Sequence, residues 1–210
     1  MRKTIIKTAL FTALSLIFAL FLGAFSIFVF APSLSAKISY DLGMKNLSTS
    51  CYERVYHKTG ELDDLIAVID SAVYAENEDT IIEYGTLLFD TYGNTEEFYN
   101  YCKALDVNVE EGSYMTFDYY ANTVFMALYS KGLKDDAAKF AIKNVNSYSD
   151  KSVLMMAMVL ADPTNDKAFG DLLVKAYKSL DQSVDTSKYA YFQRDMRLYK
   201  DEDGKSVYNF

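Results

Sequence analysis

From Thr8 to Ala31 the chain runs for 24 residues without a charge, and most of them are apolar. Wound as a helix at ~1.5 Å per residue, such a run is roughly 36 Å long and exceeds the ~30 Å hydrocarbon core of a bilayer. A helix also satisfies its backbone polar groups internally, which lipid demands. The run is therefore expected to be a transmembrane anchor. Arg2, Lys3 and Lys7 precede it, and only Lys37 follows closely. That asymmetry places the N-terminus in the cytoplasm and residues 37–210 outside the cell membrane in a single-pass arrangement. The alternative is a secretory leader, cleaved after Ser35 or Ala36 to leave a secreted domain. Its apolar part would then be far longer than the usual ~7–15 residues, and cleavage after Ala36 would put bulky Leu34 three residues upstream. Both readings export the domain. A lipid-modified cysteine is not expected, because the first cysteine is Cys51.

Charge constrains the exported part. Residues 1–36 hold three basic residues and no acid, so the formal −8 of the whole chain leaves −11 on the remainder. Nucleic-acid binding rests on Lys and Arg neutralising phosphates, so so acidic a domain disfavours it. With only two prolines and nine glycines among 210 residues, the chain has few of the turns that a sandwich or barrel needs. An all-α fold is expected.

Three places share a local pattern: an aromatic, a glycine, and two acids three and four residues after that glycine. They are Tyr56, Gly60, Asp63, Asp64; Tyr92, Gly93, Glu96, Glu97; and Tyr129, Gly132, Asp135, Asp136. The glycines are 33 and 39 residues apart, a spacing typical of stacked helical repeats. Glycine just past a helix end can take the left-handed conformation that closes it. Paired acids in the next first turn meet the positive end of the helix dipole. Four antiparallel helix pairs follow from this pattern and from three-to-four-residue apolar periodicity: 38–58 with 62–76, 80–92 with 95–106, 114–131 with 134–146, and 151–161 with 163–180. Asp162-Pro163 opens the last helix with an N-cap and a first-position proline. Asn108–Gly112 reads as a loop, 189–199 as a short helix, and Asp201–Gly204 as a turn. The division is thus 1–36 cytoplasmic tip and anchor, 37–180 helical α-solenoid, and 181–210 an aromatic-rich C-terminal cap.

The stretches Tyr52–Phe89 and Ala127–Ile142 carry Tyr56, Gly60 and its acids, Ala72, and Ala137 in a small-residue position. In these features the chain resembles the tetratricopeptide-repeat family over roughly residues 45–180. It departs at Leu65 and Phe98, where that family prefers a small residue, at Glu53, and at Asn77 in place of the usual proline. The resemblance implies a superhelix whose first helices line a groove for a protein or peptide partner. Groove positions then fall on Ser50, Arg54, His57 and Lys58; on Glu83, Leu87 and Asp90; and on Tyr119, Asn122, Met126 and Tyr129.

Chemistry-bearing constellations are sparse. His57 is the one histidine and reads as a favourable charge at a helix C-terminus. Cys51, Cys102 and His57 lack zinc-ligand spacing, and no Gly-rich phosphate loop is present. Neither a metal, a cofactor nor a catalytic set is expected. Cys51 and Cys102 are permitted a disulfide in an exported domain, against the plainer reading of two buried thiols. The expected function is a membrane-anchored extracytoplasmic scaffold or adaptor that binds a partner in the cell envelope. Eighteen tyrosines and abundant carboxylates motivate two alternatives: a cell-wall glycan-binding module, and a carboxylate-dependent envelope hydrolase.

Overall fold

In the computed structural model of the protein the described residues are 2–106, 115–145 and 152–210, with the backbone alone described at 2–6, 8 and 9. The loop expected over Asn108–Gly112 lies outside them, as do the side chains of Arg2 and Lys3 and the terminal positions 114, 146 and 151 of three expected helices. The described residues form eleven α-helices, one 3-10 turn and no strand. Two compact units are present, 1–77 and 78–210.

The first unit holds α1 (Arg2–Phe30), α2 (Pro32–Asp41), α3 (Lys45–Thr59) and α4 (Leu62–Tyr74). Within α1, Leu10–Phe30 is long and apolar enough to cross a membrane, and the protein buries none of it. Pro32 opens α2, where its missing N–H costs nothing because the first turn has no intrahelical acceptor. The helix expected over 38–58 is in fact broken: Gly43 adopts a φ of 70° between α2 and α3. Residues with a Cβ pay for that left-handed conformation, so the chain turns at the glycine and α2 packs on α3. Ser48 Oγ donates to the Ala36 carbonyl across this contact at 3.1 Å. Leu65, Ile66, Ile69 and Ala72 of α4 are buried with Cys51 and Val55 of α3.

The second unit holds α5 (Glu78–Thr91), α6 (Glu96–Leu105), α7 (Met115–Ser130), α8 (Lys134–Lys143), α9 (Ser152–Leu160), α10 (Pro163–Lys178), a 3-10 turn (Thr186–Tyr189) and α11 (Ala190–Met196). The paired acids do stand in the first turns of α4, α6 and α8. Gly60 and Gly132 have the expected positive φ. Gly93 is a correction: it has no positive φ, and a Cβ there would sit 2.5 Å from the Phe89 carbonyl oxygen. Glycine is required at that turn by crowding.

The partner of α5 is α7. Ser130 Oγ, at the end of α7, donates to Glu78 at 2.8 Å, and Lys131 pairs with Asp79 at 3.0 Å. At the other end Phe89 meets Phe117 edge-on at 5.3 Å. The two helices therefore run in opposite directions. In an array of helical hairpins the first helices of successive repeats run the same way, so this pair departs from the arrangement that the repeat resemblance implies. Phe89 also meets Phe98 of α6 and Phe140 of α8 edge-on, at 5.9 and 5.1 Å, the geometry that aromatic quadrupoles favour. The C-terminal residues fold back on α10: Tyr208 is buried, donates to the Ala161 carbonyl, and leaves no room for a side chain at Gly170. Asp201–Gly204 is a turn, closed by Lys205 N–H donating to Asp201 at 2.8 Å.

At the middle of α5, a Cβ on Gly85 would lie 2.2 Å from Val124 Cγ2 of α7. Gly85→Ala is expected to cost about 1–3 kcal/mol by overpacking, read as a lower urea midpoint. Adding Val124→Ala should recover part of the loss, because the two changes share one contact.

Candidate functional site

The residues expected to line a groove have different surroundings in the two units. In the first unit Arg54 projects from α3 to the end of α1. Its Nη1 and Nη2 donate to the Phe28 and Val29 carbonyls at 3.1 and 3.2 Å, and its guanidinium stands 5.1 Å from the Phe28 ring centroid. The last four carbonyls of a helix have no intrahelical donor, and they form the negative end of its dipole. A planar cationic fork answers both needs with one side chain. Ser35 of α2 donates to the Ile27 carbonyl at 3.1 Å, so three successive carbonyls near the end of α1 are bonded by side chains of the folded unit. Arg54 therefore joins α3 to the end of α1. Ser50, His57 and Lys58 are exposed, the last two in the final turn of α3.

In the second unit Tyr129 is likewise structural. Its hydroxyl donates to Asp166 at 2.8 Å, and Lys134 Nζ donates to the same carboxylate oxygen at 2.6 Å. The other Asp166 oxygen accepts from Phe169 N–H at 3.0 Å. Asp166 leaves helical geometry, with φ −147° and ψ 77° inside α10, and so acts as a cap for the helix that continues beyond it. The hydrogen bond from Lys134 holds the Asp166 carboxyl below its ordinary range, and the same bond raises the Lys134 ammonium. Burial, and then the bond to Asp166, pushes the Tyr129 phenol up. Asn122 of α7 donates to Ser152 of α9 at 3.3 Å. Asp90 pairs with Lys143 of α8 at 2.5 Å.

What remains open on this unit is Glu83 and Leu87 on α5, and Tyr119 and Met126 on α7. Tyr119 is 47% exposed, Met126 40% and Leu87 38%, so both helices present apolar side chains to solvent beside an acid. A hollow of about 450 Å³ lies between α10 and the C-terminal residues, with Asp171, Lys175, Lys178 and Asn209 in its lining. Cys51 and Cys102 are buried free thiols, and burial pushes the Cys102 thiol up to about 12. Among the described residues no group of three or more His, Cys, Asp or Glu is placed to hold a metal ion. Sequence reasoning missed Asp166 and Lys134, which belong to no repeat offset, and missed the capping role of Arg54. Comparison with protein-family models, curated proteins and solved structures gives no match to this chain.

Two outcomes follow from this geometry. Arg54→Ala should destabilise the first unit by about 1–2 kcal/mol, since hydrogen bonds to charged groups are worth ~1.5–3 kcal/mol before discounting for partial exposure. Arg54→Lys should restore only part, because one ammonium cannot span two carbonyls; thermal unfolding of the detergent-solubilised chain reads both. The Asp166 carboxyl is depressed in the folded state, so its contribution is complete above the unfolded carboxylate value and is lost as pH falls through the folded one. Asp166→Asn should therefore lower the melting temperature near neutrality and flatten its decline below about pH 4.

Proposed function

We propose that this chain is a membrane-anchored extracytoplasmic adaptor that binds a protein or peptide partner in the cell envelope. The observation that carries this reading is the joint at Arg54. An apolar helix long enough to span a bilayer, none of whose span the protein buries, is bonded to the folded unit behind it by Arg54 and Ser35. Retention of α1 is favoured over a leader that is removed. Cleavage after Ser35 or Ala36 would cut α2 in its middle, where both residues are buried, and would orphan Arg54. The basic N-terminal residues then place the following units outside the cytoplasm.

The partner surface is the pair of exposed faces on α5 and α7. Exposed Met and aromatic side chains beside carboxylates suit an apolar, basic partner segment. The helical turns at Gly60 and Gly132 support a repeat-derived architecture, and the opposed α5 and α7 restrict that likeness to α3–α4 and α7–α8. The hydrolase reading has less support, because Asp90, Asp135, Asp162 and Asp166 already serve ion pairs or helix caps. The glycan reading is weakened by tyrosines such as Tyr189 and Tyr208, which are buried with their hydroxyls on backbone carbonyls.

The test is photo-crosslinking of the full chain in envelope membranes, with Leu87→Glu and Met126→Glu as paired surface variants. The expected result is one discrete crosslinked polypeptide whose yield falls at least about tenfold in both variants, a loss of ~1.4 kcal/mol or more. Recovery of wall glycan alone, or of a polypeptide unaffected by either variant, rejects the proposed surface. Intact mass of the extracted chain decides whether residues 1–36 remain.

A further inference from the structure

Helix α2 has its faces inverted for a helix in water. Ser35, Ala36 and Ser39 point inward and are buried, while Leu34 and Ile38 point outward at 49% and 41% exposure. Leu42, just past the helix, is 65% exposed and continues the same four-residue spacing. A helix on a soluble surface buries its apolar stripe and exposes its hydroxyls. Small residues inside are suited to close helix packing, which explains the inner face but leaves the outer one without a partner.

The position of α2 supplies the partner. Beyond Ala31 the chain turns back on α1. Ser35 Oγ reaches the Ile27 carbonyl, and one small apolar hollow is lined jointly by Ala24, Ile27 and Phe28 of α1 and by Ser35, Ile38 and Ser39 of α2. Ala24 lies six residues before the end of α1, or ~9 Å down a helix axis. Ile38 therefore lies beside the last two turns of α1, between Ala24 and Phe28. Lys37 is the one cation of α2, on the exposed side, and its long stem can carry the ammonium back to the headgroups. Tyr40, 45% exposed, lies tilted against Tyr74 with ring centroids 4.8 Å apart, an aromatic pair of the kind that settles at the water boundary.

We propose that α2 is embedded in the outer leaflet. Its Leu34–Ile38–Leu42 face is covered by lipid acyl chains and extends the lipid-facing surface of α1, so the anchor is a bent two-helix device. This rests on α1 being retained as a transmembrane helix. The consequence is orientational: a single spanning helix leaves a domain free to swivel, whereas a second helix lying in the leaflet fixes which side of the first unit faces the membrane.

The chain contains no tryptophan, so each single substitution introduces one fluorophore. Leu34→Trp, Ile38→Trp, Leu20→Trp within α1 and Leu198→Trp on the exposed surface of the second unit would each be placed in the full chain. The proteins are reconstituted in phosphatidylcholine vesicles whose acyl chains are brominated near the headgroup or near the chain end. Expected is strong quenching of Trp at 34 and 38 by the shallow bromines and little by aqueous iodide, with position 20 quenched by the deep bromines and position 198 by iodide alone. If 34 and 38 behave like 198 while 20 is quenched by bromine, the anchor stands and the embedded helix is rejected. If 34 and 38 are shielded from both quenchers, a protein partner or a second copy covers the face, and the lipid assignment is again rejected. If position 20 also escapes bromine, the anchor reading fails, and the proposal fails with it.

Discussion

The carbonyls that end α1 are the constraint on which the first unit depends. A helix leaving hydrocarbon carries acceptors that lipid cannot satisfy and that water reaches only at the interface. Arg54 takes two of them, and Ser35 adds a second donor to the Ile27 carbonyl, which already accepts from the Ala31 N–H at 2.9 Å. Because Arg54 belongs to α3, this bonding ties α3 to the end of α1. The guanidinium also lies over the Phe28 ring, so charge, hydrogen bonds and stacking act at one point. Ser48, on the same helix, ties α3 to α2 through the Ala36 carbonyl. Arg54 thus links α1 to α3, and Ser48 links α3 to α2.

What was legible in the sequence was what short-range chemistry decides. Paired acids mark first turns because the dipole acts within one turn, and Asp162-Pro163 marks the start of α10 for the same local reason. Six of the expected helices match within about two residues at each end; the expected 134–146 ends three residues early at Lys143, and Gly43 interrupts the 38–58 segment. Tyr40 stands three residues before Gly43, as Tyr129 does before Gly132, but Asn46 and Leu47 occupy the places where the repeat pattern has its acid pair. Arg54 and Tyr129 were assigned to a groove by their offset from a turn glycine. Offset records position along a hairpin and nothing about what lies across from it. Their partners, Phe28 and Asp166, are 26 and 37 residues away.

The pairing of α5 with α7 was illegible for a related reason. It turns on Gly85, which reads as a poor helix residue when taken alone but allows close approach to Val124. Once α5 and α7 meet there, the ends follow, with Glu78 and Asp79 meeting Ser130 and Lys131, and Phe89 meeting Phe117. No single-residue propensity encodes such a choice; it emerges when one small residue faces one branched one across 39 residues of chain. The same logic operates at Gly170 and Tyr208, where a glycine makes room for a phenol whose hydroxyl finds the Ala161 carbonyl.

An acidic chain carries an exposed apolar helix long enough to cross a membrane, and its charge is distributed so that the two stay apart. The −11 carried after residue 36 would be repelled by anionic headgroups within a Debye length of ~8 Å. Yet from Thr8 to Tyr40 the only ionisable side chain besides that of Tyr40 is Lys37. The apolar part of α1 and all of α2 before Asp41 therefore carry a cation or nothing, and the carboxylates begin at Asp41, at the end of α2. With α1 spanning a bilayer as proposed, this distribution would keep carboxylates away from the headgroups nearest α1 and set a cation, Lys37, beside them.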